Sequence, residues 1–319
     1  RQFLLTCPEL SSEQSKLKEL RSRLPAHPTT LIMQERPANN PRPTFVHHRG
    51  EFLQPREKVE PGVPAFLPSL RTRPDRLALA RWLVDGQNPL TARVTVNRHW
   101  AGFFGRGLVR TTEDFGYQGE MPSHPALLDW LALEFSGELE WSVKRLHRLI
   151  VTSATYQQSS RVTPDLLAKD PQNILLARGP RFRLDAELIR DSVLRASNLL
   201  SERLGGPSVF PPQPPGVTSE GAYGALNWKP SEGPDRYRRG LYIFFQRTSP
   251  YPMLMNFDAP DSNFSCTRRP RSNTPLQSLN LLNDEVFYEA ANALAWRVER
   301  EAPDNSFTGK LEYAFLLTL

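Results

Sequence analysis

Acid–base chemistry would fall first to His124 and Asp114. His124 lies just inside an expected helix N-terminus, where free backbone N–H groups favour anions and lower an imidazole pKa. Glu113-Asp114-Phe115-Gly116 occupies the loop just before that helix, so Asp114 can supply the carboxylate of a carboxylate–imidazole pair. Each residue also has a plainer role. Asp114 suits a turn that bonds its own backbone, and His124 suits packing at a helix cap. The other histidines are less suited to chemistry. His47-His48 falls on an expected strand, where neighbouring rings point to opposite faces and make poor metal geometry. His99, beside Trp100, reads as an interface residue, and His147, flanked by Arg145 and Arg148, as a structural one.

No metal is expected. The two cysteines, Cys7 and Cys266, are far apart, and no C-x-x-C or Cys/His ligand spacing exists. The G-x-S-x-G, H-E-x-x-H, P-loop and Rossmann patterns are absent. Asp114-Phe115-Gly116 matches a kinase triplet, but none of the companion kinase motifs accompanies it.

Binding chemistry points to arginine. The 319 residues carry a net charge of +6, with 33 Arg and only 7 Lys against 34 acidic residues. Arg forms planar bidentate pairs with carboxylates and stacks on aromatic rings. Most of these side chains are therefore expected to pair within a helical fold, with a polyanion-binding face as the other reading. The densest polar stretch runs from Arg236 to Asn273 and includes Arg247, Tyr251, Asp258, Arg268 and Arg271. These five are candidate ligand-binding residues for sugars or anions, and they equally suit a loop fastened to its own domain. Glu187 and Asp191 share a helix face, with Arg183, Arg190 and Arg195 as expected partners. No Lys/Arg run of five or more and no nucleic-acid motif occurs, so nucleic acid is not the expected partner. No apolar run of 18 residues is present, so no membrane span is expected.

The elements that must position these groups are mostly helices. A polar helix is expected over residues 11 to 24, then short extended runs at Leu31–Met33 and Thr44–His47, then a Pro-rich connector to about residue 70. Asp75 caps the next helix. Asn88-Pro89 opens another, closed by Gly105. Ser123 and Ser142 cap two more, and a fifth runs from about Leu184 to Leu204. Residues 206 to 239 read as a long Pro-rich loop, and Gly240–Phe245 as the best strand candidate. Helices beginning at Thr274-Pro275 and at Asn283 or Asp284 complete the chain. The expected fold is mainly α, a multi-helix domain with a minor β element and long Pro-rich loops. Residues 1–70 are expected to end a preceding domain and 71–319 to form a helical domain. The first five residues are not expected to be a signal peptide. Both ends are expected to be cut from a longer parent.

Several strings occur together in order. They are Asn88-Pro-Leu-Thr-Ala-Arg-Val-Thr-Val-Asn-Arg98, Phe104-Gly-Arg-Gly-Leu-Val109, Asp114-Phe-Gly116, Pro122-Ser-His-Pro125, Leu146-His-Arg-Leu-Ile150, Arg183-Leu-Asp-Ala-Glu-Leu-Ile-Arg-Asp191, Phe257-Asp-Ala-Pro260 and Asn273-Thr-Pro-Leu-Gln277. Over about residues 71–319 the chain resembles domain-of-unknown-function family 1553, a cytochrome-associated family of planctomycete-type bacteria. The resemblance implies a large exported protein with a cytochrome c-like module upstream, which would be the partner and would carry any haem. No cofactor is expected in this fragment, because the C-x-x-C-H attachment motif is absent. Arg98, Asp114 and His124 fall within matching strings, which makes Arg98 a further candidate. The leading expectation is a non-catalytic binding or assembly domain of that exported protein. The alternatives are a polysaccharide hydrolase using Asp114 and His124, and a redox-partner module for the cytochrome domain.

Overall fold

A computed structural model describes residues 7–24, 29–37, 39–217 and 228–319. The first five residues and the middle of the 206–239 connection lie outside the described residues. The fold is mainly α, with eleven α-helices and one two-stranded sheet among the described residues. The chain divides into two compact units, residues 1–88 and 89–319.

The first unit carries α1 (Ser11–Ser22), the antiparallel pair β1 (Thr44–His47) and β2 (Pro55–Val59), and α2 (Arg76–Leu83). Asp75 caps α2 by accepting from Ala78 N at 2.7 Å, as its position before an apolar repeat implies. Leu31–Met33 forms no strand and is exposed. His47 ends β1, while His48 begins a short 3₁₀ turn in which Arg49 adopts a left-handed conformation.

The second unit has two cores. Helix α3 (Thr91–Phe104) buries Val96, Trp100 and Phe104 at four-residue spacing, one stripe of the helix. They pack with Leu128, Leu131 and Phe135 of α4 (Pro125–Ser136) and with Leu146 and Ile150 of α5 (Val143–Val151). A short helix, α6 (Pro164–Lys169), follows. The other core joins α7 (Ala186–Ala196), α8 (Pro252–Asn256) and α10 (Glu285–Glu301) through Ala186, Tyr251, Leu254, Phe257 and Phe287. Helices α9 (Pro275–Asn283), whose Thr274–Gln277 capping box is complete, and α11 (Phe307–Thr318) finish the unit.

Three helix expectations shift in detail. Helix α3 begins at Thr91 with Leu90 as its N-cap, two residues after the expected Asn88-Pro89 start. His124, not Ser123, is the N-cap of α4, because Ser123 turns back to bond Leu108 O through both its N–H and its hydroxyl. Helix α7 stops at Ala196, since Asn198 takes a left-handed conformation (φ 60°). Gly240–Phe245 is not a strand. Gly240–Tyr242 forms a 3₁₀ turn, and Gly240 N donates to Asp191 Oδ1 on α7 at 2.6 Å. That N–H is thus used to dock the segment on a helix and is lost to strand pairing. One isolated bridge, Val209 with Ile243, remains.

Buried arginines fasten the long connections. Arg238 has no exposed surface, and its guanidinium donates to the carbonyls of Arg203, Gly205 and Pro207 while lying 3.8 Å from the Tyr242 ring centroid. Arg190 donates to the carbonyls of Arg236 and Arg238. Backbone oxygens, not carboxylates, take up both guanidinium groups.

Candidate functional site

The site begins with a buried amide. Asn97 on α3 has no exposed surface. Its Nδ2 donates to Val109 O and its Oδ1 accepts from Val109 N, each at 2.9 Å. This pair pulls the chain after α3 into a tight return. Gly105 closes the helix in a left-handed conformation (φ 75°), with its N–H on Ala101 O. A Cβ on Gly107 would lie 2.5 Å from Val109 O, so the return needs glycine there. Arg106 and Arg110 flank the return.

A second segment, Cys266–Arg271, comes to the same place from far along the chain. Arg271 donates to Gly105 O at 3.2 Å and stacks over Phe182, its guanidinium carbon 4.4 Å from the ring centroid. Arg269 donates to Glu187 at 2.6 Å, and Arg268 to Glu113 at 3.2 Å. Between the two segments lies a cleft of about 720 Å³. Arg98, Arg106, Arg110, Arg268, Arg269 and Arg271 line it, together with Asp185 and Cys266.

The charge balance of the cleft is positive. Arg106 and Arg110 pair with Glu120, Arg268 with Glu113, Arg269 with Glu187, and Arg271 with Asp185 at 3.7 Å. Four carboxylates thus face six guanidinium groups. Arg98 is exposed and makes no hydrogen bond or ion pair among the described residues. The hydrogen bond from Arg110 holds the Glu120 carboxyl below its ordinary pKa. Burial alone would lower Arg269, but Glu187 and Asp185 hold it above its ordinary value. Such an array binds anions through planar, charge-assisted hydrogen bonds.

Three residues singled out in the sequence, Arg98, Arg268 and Arg271, therefore meet in one cleft. The others lie elsewhere. Arg247 is exposed and outside the cleft. Tyr251 is buried in the second core, donates to Pro212 O at 3.0 Å and stacks on Trp228; burial pushes its hydroxyl pKa up. Asp258 takes a left-handed conformation (φ 63°) and clamps two segments, pairing with Arg183 at 2.5 Å and accepting from Ser272 N at 2.8 Å. Burial alone would raise its carboxyl, but the Ser272 and Arg183 bonds hold it below the ordinary range.

Asp114 and His124 do not meet as an acid–base couple. Asp114 Oδ1 accepts from Gly116 N at 2.6 Å, a turn closed on its own backbone. The His124 ring contacts the Ser123 hydroxyl at 3.0 Å. No hydrogen bond or ion pair joins the two among the described residues. An unexpected pair does form. His147 Nε2 and His99 Nδ1 lie 2.9 Å apart, with Phe103 edge-on to His147. Burial lowers the His99 pKa, and the charge of His147 lowers it further.

Arg106 and Arg110 were not singled out in the sequence, and Arg269 stood only as one of the arginines of the 236–273 stretch. The signal present was the turn Gly105-Arg106-Gly107, whose glycines bring the neighbouring arginines to a helix end. Among the described residues, no group of three His, Cys, Asp or Glu is placed to hold a metal ion, and no helix is long and apolar enough to cross a membrane. Both cysteines are free. The family model described as PSD1, protein of unknown function (DUF1553), matches residues 75–319. No curated protein and no solved structure matches the chain.

Proposed function

This chain belongs to the PSD1 family, and we propose that it is a non-catalytic binding domain whose arginine-lined cleft captures a polyanion. The observation that carries the reading is the convergence of six guanidinium groups on one cleft, with Arg98 unpaired among the described residues. Carboxylate, sulfate and phosphate groups all offer the planar or multiple oxygens that such an array takes. The proposal includes export of the parent protein and an upstream cytochrome c-like module as its neighbour. Those two parts rest on the family resemblance of the sequence.

Calorimetric titration with dextran sulfate, and with uncharged dextran as control, tests the reading. Dextran sulfate is expected to bind and to weaken as salt rises, because exposed charges are screened. The double variant Arg98→Glu/Arg268→Glu reverses two charges at exposed positions and is expected to weaken binding by roughly tenfold or more. Equal binding of both dextrans, or full binding by the double variant, would sink the proposal.

A further inference from the structure

The turn Gly105–Gly107 also lines a second pocket, of about 380 Å³, a volume within the range of small-molecule sites. The segment Gly179-Pro180-Arg181-Phe182 supplies another part of its wall. That segment is held at both ends. Gly179 N donates to Ser159 O at 2.9 Å, and a Cβ on Gly179 would lie 2.6 Å from Gln158 O, so the close approach requires glycine. The Phe182 ring lies so near Gly105 that a Cβ there would meet it at 2.8 Å, and Arg271 stacks on the ring.

The wall divides into apolar surface and positive charge. Phe104, Leu167, Ile174, Leu176 and Phe182 supply the apolar part. Arg106, Arg178 and Arg181 supply the charge, and among the described residues no Asp or Glu lines the pocket. The nearby Asp170 carboxylate is turned to the backbone, accepting from Ile174 N at 2.9 Å and Leu175 N at 2.7 Å. Two of the three guanidinium groups are engaged. Arg106 donates to Gln172 at 2.8 Å and pairs with Glu120, and Arg178 donates to the carbonyls of Asp170 and Pro171. Arg181 differs from both. It is exposed, lines the pocket, and makes no hydrogen bond or ion pair among the described residues.

Positive charge without a lining carboxylate favours an anion and opposes a cation. The apolar surface favours a hydrocarbon body, which it shields from water. One open guanidinium fork matches one planar carboxylate. We infer that this pocket binds a small monocarboxylate with an apolar body. The carboxylate pairs with Arg181, and the body lies against Leu167, Leu176 and Phe182. This inference is independent of the polyanion reading of the neighbouring cleft, since neither Arg181 nor Leu167 lines that cleft.

The test is calorimetric titration of the 319-residue chain with three probes. They are 3-phenylpropanoate, its uncharged amide of the same shape, and acetate, which keeps the carboxylate without the body. Phenylpropanoate is expected to saturate. The amide and acetate are each expected to bind roughly tenfold or more weakly, the first for want of charge and the second for want of apolar contact. Two variants address the two halves of the pocket. Arg181→Gln removes the open guanidinium, and Leu167→Glu sets a carboxylate in the apolar wall. Both positions are exposed, so the fold is spared, and each change is expected to weaken phenylpropanoate roughly tenfold or more. Absence of saturation by phenylpropanoate, equal affinity for the amide or for acetate, or undiminished binding by either variant would overturn the inference.

Discussion

The Asn97 side chain engages the Val109 backbone through both of its polar groups, N–H and carbonyl, at 2.9 Å each. Two residues twelve apart are thereby locked in the interior, and the turn between them carries Arg106 and the glycines that line both pockets. Replacing Asn97 by Ala leaves two buried backbone groups unmatched. The expected loss is roughly 2–6 kcal/mol, since each such group costs about 1–3 kcal/mol. A urea titration with unchanged slope measures it. A loss below about 0.5 kcal/mol would show that water replaces the amide there.

Arg238→Met tests whether the buried guanidinium groups act as fasteners. The change strands the carbonyls of Arg203, Gly205 and Pro207. It also removes the cost of burying a charge whose Nε has no partner among the described residues. The two effects oppose, and the net loss is expected at about 1–3 kcal/mol. A variant as stable as the parent would mean that desolvation outweighs the three hydrogen bonds.

The His99–His147 pair makes stability depend on pH. The folded-state pKa of His99 lies below its ordinary value, so the unfolded chain binds the proton more readily. The contribution is complete above the unfolded pKa of about 6.5 and is lost as pH falls through the lower folded value. The urea midpoint is expected to drop from about pH 7.5 to about pH 5, and His99→Gln is expected to flatten that drop. An identical profile in the variant would assign the acid sensitivity to other groups.

Gly105→Ala probes the contact that joins the two sides of the cleft. The left-handed backbone disfavours any Cβ by about 1–2 kcal/mol. The added carbon would also lie 2.8 Å from the Phe182 ring on which Arg271 stacks. Both melting temperature and dextran sulfate affinity are expected to fall. Gly102→Ala is the control, because its Cβ would meet nothing within 4 Å inside the same helix. That change is expected to be neutral or to stabilise by up to about 1 kcal/mol.

Local chemistry made much of the scaffold legible. The Asp75 and Ser142 caps, the left-handed Gly105 stop and the Thr274-Pro275 start each depend on a few adjacent residues, and each stands where the chain implied. The Asp114 turn was legible in the same way, as a short-range bond between a side chain and its own backbone. Gly240–Phe245 was misread for the opposite reason. Its β-branched and aromatic character suits a strand, but Asp191, about fifty residues earlier, takes the Gly240 N–H.

The sequence by itself determined the helical class, most helix boundaries and the surplus of arginine over lysine, because caps, periodicity and composition are properties of neighbouring residues. Only the tertiary structure decided which arginines face one another. Arg98, Arg106 and Arg110 meet Arg268, Arg269 and Arg271 across more than 150 residues of chain, whereas Tyr251 and Asp258, from the same dense stretch, turn into the core and into a clamp. A guanidinium looks the same in sequence whether it fastens a loop, pairs with a carboxylate or stands open. Which of these it does depends on the distance to partners brought near by packing.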